Sequence, residues 1–326
     1  MSVLKQIYKR GADVSPSYCF YSLLANLDMK AHDLQGIPYH RSIYEKRDNA
    51  ILEVLYKRFK PQIDKWKDAV ETAIPFDEPE KAPIWICWLQ GEDDMPPIVK
   101  LCYERLCKNA GEHPVILLTN DSIPTYVSID KKITKLYEQG SISAAHYTDV
   151  LRANLLATYG GLWIDSTVLV TKPLPTEVFE KTIWSIVGRD SDFEYLDICF
   201  AASEWAGYFQ AAMKNSTLQR FIVDMWNAYF NQYDYVFEYL LVAYFSYIGR
   251  NSIGIVKSEY ENIPLNNTKV ESLWPILQQN TSFNAMDAKT LLKGNTYLYK
   301  LSYKAAYAND AEKIDRLRFV LEEIDK

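Results

Sequence analysis

Two aspartates and an arginine, set in otherwise apolar surroundings, are the residues best placed to do chemistry. Asp149, Arg152 and Asp165 lie within Ser143–Pro173, SAAHYTDVLRANLLATYGGLWIDSTVLVTKP. Asp149 and Arg152 are three positions apart, so on a helix they share a face. The other sides of that helix carry Val150, Leu151, Leu155, Leu156 and Tyr159, which predicts burial nearly all round. A buried charge needs a partner, and the plain alternative is a mutual Asp149–Arg152 ion pair serving the fold alone. Asp165 favours a site, because the intervening Gly160-Gly161 brings the chain back alongside the helix. Two carboxylates and a guanidinium around one cleft suit an anionic, metal-bound ligand rich in hydroxyls. A sugar nucleotide is such a ligand: its diphosphate wants cations, and its ribose and sugar hydroxyls want carboxylate acceptors.

The elements that must position these groups read clearly. Ala144–Tyr159 is rich in Ala and Leu and has no internal Gly or Pro, which predicts a helix. Leu162-Trp163-Ile164 and Val168-Leu169-Val170 bracket Asp165-Ser166-Thr167, as one core strand would that surfaces at a single point. Upstream, Pro83–Gln90 (PIWICWLQ), Pro97–Ala110 and Pro114–Thr119 predict strand, helix and strand. That order implies parallel strands with a right-handed crossover, the start of a Rossmann-like sheet whose ligands gather beyond the carboxyl ends of the strands. No G-x-G-x-x-G follows the first strand, which argues against a dinucleotide oxidoreductase.

The run Asp149-Val-Leu-Arg152 followed by Tyr159-Gly-Gly-Leu-Trp-Ile-Asp165 resembles the signature of glycosyltransferases with a DXD sugar-binding motif. The nearest match is the capsular polysaccharide synthesis protein family, related to mannosyltransferase-like enzymes and to the glucosylating domain of clostridial toxins. The resemblance implies a GT-A fold and transfer of a sugar from a nucleotide donor, a UDP-sugar by preference, to a saccharide or lipid-linked saccharide acceptor, with retention of configuration. It implies that Asp149 and Arg152, with Gly161, hold the nucleotide sugar. Asp165 becomes the first Asp of the motif, the first catalytic candidate and a ligand of Mn2+ or Mg2+. Thr167 stands where a second Asp would be, and its neutral hydroxyl is a weaker ligand for a hard cation. The resemblance also places Trp85 against the base. Trp85 and Trp88 are three apart on a strand and so point to opposite faces, leaving one of them at most for the cleft. Glu92-Asp93-Asp94 reads as a solvated loop, with acceptor or metal contacts as the alternative. Asp234, in Tyr233-Asp-Tyr-Val-Phe, matches a carboxylate of the acceptor site and is the second catalytic candidate; capping of the next helix is the alternative. Arg189 and Asp197 are weaker candidates for the acceptor wall. Thr296–Lys304 (TYLYKLSYK) resembles the family's closing segment, with Tyr299 where His is common, and Lys300 and Lys304 would meet the diphosphate.

The remaining chain bounds these readings. It has 326 residues, 48% hydrophobic and 24% charged, a composition with ample core. The formal charge of −6 without a Lys/Arg block argues against nucleic-acid binding. The start has no apolar signal region, no run reaches membrane-spanning length, and the five Cys form no CxxC, which suits reduced thiols in the cytoplasm or at the inner face of the membrane. Residues 1–75 predict a helical extension, with Ala73–Pro83 as a linker and 76–326 as the glycosyltransferase domain. The extension is a candidate for pairing with a second copy or for meeting a membrane-bound acceptor. Ile198–Ala202 reads as a strand, Ser216–Ile248 as helical, and Asp310–Lys326 as an amphipathic closing helix. Outside the transferase reading stand a non-catalytic sugar-nucleotide or glycan-binding scaffold and a transferase with a protein acceptor.

Overall fold

A computed structural model describes residues 11, 14–188, 195–196, 198–278 and 284–326. The fold expected from the sequence, a Rossmann-like sheet flanked by helices, is the one observed. Five strands, β1 (Ile84–Cys87), β2 (Val115–Leu118), β3 (Gly161–Asp165), β5 (Ile183–Ser185) and β6 (Phe209–Ala212), form one sheet in the order β2-β1-β3-β6-β5. β1 runs parallel to both β2 and β3, whereas β6 is antiparallel to β3 and β5. β1 is buried at every position and β3 at all but Asp165, which is why both read as continuous apolar runs instead of alternating ones; β6 is fully buried as well.

Two sequence expectations are corrected. Leu162–Val170 is not one strand: β3 ends at Asp165, and β4 (Val168–Val170) joins a separate two-stranded sheet with β7 (Leu298–Lys300). Ile198–Ala202 is not a strand either, since Phe200–Ser203 is a 3-10 turn. The β6 residues that fill the sheet went unread, because four buried residues with a Gln among them carry no periodic signal.

The helix Ala144–Tyr159 begins where the Ser143 side chain accepts from His146 N. It ends at two glycines that the close approach of neighbouring chain requires. Gly160 has φ +70 and Gly161 φ +93, and a Cβ on Gly161 would lie 2.1 Å from Pro83 O. That approach lets Leu162 N donate to Pro83 O, setting β3 against β1.

The N-terminal helices Pro16–Gln35, Arg41–Arg58 and Lys60–Trp66 share the main core with the sheet, through Tyr18, Ile51, Leu55, Phe59 and Ile63. Polar ties reinforce the contact: Tyr244 Oη donates to Asp48, Tyr18 Oη to Phe237 O, and Trp66 Nε1 to Asp224. A second core unites Leu169, Tyr299 and Leu301 of the small sheet with Ile98 and Leu101 and with Leu317 and Leu321 of the closing helix Ala311–Ile324. Among the described residues, no helix is long and apolar enough to cross a membrane.

Candidate active site

Asp165 closes β3 at the carboxyl edge of the sheet, opposite Cys87 of β1, and its backbone N donates to Tyr208 O beside β6. This is the rim where the parallel order places a ligand. Asp149 and Arg152 face the same rim from the helix. Arg152 Nη2 donates to Asp149 Oδ1 at 2.6 Å, and Nη1 lies 3.9 Å from Asp165 Oδ1. Burial of the Asp149 carboxyl outweighs the attraction of Arg152, and with Asp165 nearby its pKa rises to about 6. The guanidinium is almost fully buried and stands 5.7 Å from the centre of the Trp163 ring. The Trp163 indole donates from Nε1 to Asp165 Oδ1 at 3.0 Å. Both Asp149 and Asp165 therefore bear on Arg152, and the Asp149 pair does not seal it from Asp165.

Lys300 completes the cluster. β7 pairs with β4 so that Lys300 lies opposite Val168, which brings its ammonium 2.6 Å from Thr167 Oγ1 and 3.4 Å from Asp165 Oδ2. Alternation along β7 sends the neighbouring Tyr299 the other way, into the second core, where its hydroxyl donates to Leu291 O.

Two adjoining cavities meet at this cluster, sharing Ala145, Thr148, Asp165, Tyr239 and Lys300. The first, about 350 Å3, holds Asp149, Arg152 and Gln210 among Phe200, Trp205 and Tyr208. The second, about 400 Å3, is lined by Trp88, Gln90, Trp163, Thr167, Tyr303 and Lys304. Of Trp85 and Trp88 it is thus Trp88 that reaches the cleft, held by its Nε1 bond to Asp94 O and edge-on contact with Tyr303.

Three sequence assignments are corrected by these positions. Trp85 is 2% exposed, bonded to Gly160 O and packed against Tyr126 and Tyr159, so it has no face for a base. Gly161 sits at the start of β3, away from the rim, and serves the close approach to Pro83. Asp234 is on the surface, paired with Lys132 at 2.8 Å and lining neither cavity; it caps no helix, since the next begins at Leu241. Arg189 and Asp197 lie outside the described residues. Sequence reasoning missed Trp163, Tyr208 and Tyr239. Only Trp163 carried a signal, since residues two apart on a strand share a face, here with Asp165.

A divalent ion at Asp165 is the cofactor the resemblance implies, and the donor set does not fit it. Asp165 Oδ1 already accepts from Trp163 and Oδ2 faces Lys300. Thr167 is 5% exposed and its hydroxyl oxygen accepts from the same ammonium. Among the described residues, no three His, Cys, Asp or Glu side chains gather in a group that could hold a metal.

The fold and site define an α/β protein with a mixed-charge cleft at the carboxyl edge of its sheet. The chain belongs to the capsular polysaccharide synthesis protein family, which it matches over residues 32–318. Among solved structures it is similar to one titled "PaToxG Glycosyltransferase", at 14% identity and a TM-score of 0.36, covering 87% of this chain and 97% of that one. Comparison with curated proteins found no match.

Proposed function

We propose that the chain is a glycosyltransferase of capsular or cell-surface polysaccharide synthesis, moving a sugar from a nucleoside diphosphate, UDP by preference, to a saccharide acceptor. The observation that supports this most is the meeting of Asp149, Arg152, Asp165 and Lys300 where two cavities adjoin, with Asp165 and Lys300 lining both. In this reading the second cavity takes the nucleoside diphosphate, with Trp88 offering a face to the base and Lys300 and Lys304 meeting the phosphates. The sugar enters the first cavity, where Asp149 and Asp165 accept from its hydroxyls.

The bond from the anomeric carbon to the β-phosphate oxygen breaks, and its electron pair leaves with the diphosphate. The acceptor oxygen bonds the same carbon, and its proton passes to the departing phosphate. Lys300 and Arg152 act electrostatically, on charge that develops as the bond breaks. Configuration is retained in this scheme, which the anomer of the product reports by NMR. The test is incubation with a panel of UDP- and GDP-sugars, with and without oligosaccharide acceptors. Donor turnover that Asp165→Asn abolishes supports the reading. Binding without turnover of any donor would leave a sugar-nucleotide-binding scaffold.

A further inference from the structure

Lys300 occupies the place between Asp165 and Thr167 where the sequence motif leads one to expect a metal ion. Its ammonium bridges Thr167 Oγ1 at 2.6 Å and Asp165 Oδ2 at 3.4 Å, and it stands 5.2 Å from the centre of the Tyr208 ring. The backbone under it is held on both sides: Lys300 N donates to Val270 O at 2.8 Å, and Leu301 N to Thr167 O at 2.9 Å. The side chain is 24% exposed, so the charge is anchored yet open to the cavity. Asp149 and Asp165 balance Arg152 and Lys300, leaving the cluster formally neutral. A divalent ion would add two positive charges beside a fixed ammonium and find a single carboxylate, already engaged. An incoming diphosphate meets one cation already in position and a second in Lys304.

We propose that the Lys300 ammonium is the resident cation of this site and does the work of a divalent metal, so that the nucleoside diphosphate binds without metal. The substitution is built into the chain: Thr167, lacking a carboxylate, is a weak ligand for a hard cation but can orient an ammonium with its oxygen. The inference rests on the glycosyltransferase reading, and the experiment separates the two.

Calorimetric titration of the full chain with UDP and with GDP, in EDTA and then in Mn2+, is the test. The expected result is binding of one nucleotide in EDTA, within about threefold of its affinity in Mn2+. Lys300→Met should weaken that binding at least tenfold in EDTA, whereas Lys300→Arg, which keeps the charge, should retain most of it. A thermal melt of each variant separates lost binding from lost folding. Wild-type binding that appears only with Mn2+ would overturn the proposal and leave the transferase reading standing. Metal-free binding that Lys300→Met leaves intact would overturn the role of the ammonium. Failure of both nucleotides in both conditions would overturn the reading and the inference together.

Discussion

Replacing Asp149 with Asn separates what this residue does for the fold from what it does for the ligand. Its pKa is raised from 3.8 to about 6, chiefly by burial, so the folded state favours the protonated carboxyl. Stability from this group is thus fully present below 3.8 and is lost as pH rises to about 6. The rise converts to ~3 kcal/mol of strain borne by the ionised form at neutral pH. Asn keeps the shape and an oxygen for Arg152 Nη2 but carries no charge to desolvate. The Asn variant is therefore expected to be as stable as the parent or up to ~3 kcal/mol more so, a rise in Tm of no more than about 4 °C. Activity should move the other way. A charged acceptor for a sugar hydroxyl contributes ~1.5–3 kcal/mol, so donor kcat/KM should fall roughly 10- to 100-fold. The parent should also lose activity below pH 6 as Asp149 is protonated, and the variant should lack that acid limb. The assay is donor hydrolysis from pH 4.5 to 8.5 beside thermal melts. An Asn variant with the parent's rate and acid limb, or one that melts far below it, would refute the reasoning.

Gly161→Ala should destabilise the fold by at least ~3 kcal/mol in urea titrations, since its Cβ would sit 2.1 Å from Pro83 O in backbone that side chains rarely adopt. Trp163→Phe removes the donor that orients Asp165; kcat should fall about tenfold with little change in donor KM, measured on the hydrolysis reaction. Glu259 has its pKa raised to about 8 by burial and by Glu71, so it withdraws stability as pH climbs from 4.5 to about 8. Glu259→Gln should flatten that dependence and raise stability at pH 8 by ~1–2 kcal/mol, after allowance for partial exposure, as a pH series of melts would show.

The three ionisable groups first noticed were legible because the helix, the glycine turn and β3 that carry them are consecutive. Local geometry alone brings Asp149, Arg152 and Asp165 to one edge. Alternation also required Trp85 and Trp88 to part company. It could not say which would meet solvent, because that turns on where β1 stops: Cys87 is its last residue, and Trp88 lies just beyond it. Asp234 misled because a segment can match a motif while its position is set by distant packing.

The amino-acid order by itself determined the apolar strands β1, β2 and β3, the helix leading into β3 and the charged groups that stretch must accommodate, since burial patterns and glycine geometry act over a few neighbouring residues. Only the tertiary structure decided what completes the site. Lys300 reaches Thr167 from 133 positions away, through a pairing of β4 with β7 that spans most of the second half of the chain. β6 brings Tyr208 to Asp165 in the same way. Strand register between such distant segments is selected by the packing of two hydrophobic cores at once, and no local pattern in the chain encodes it.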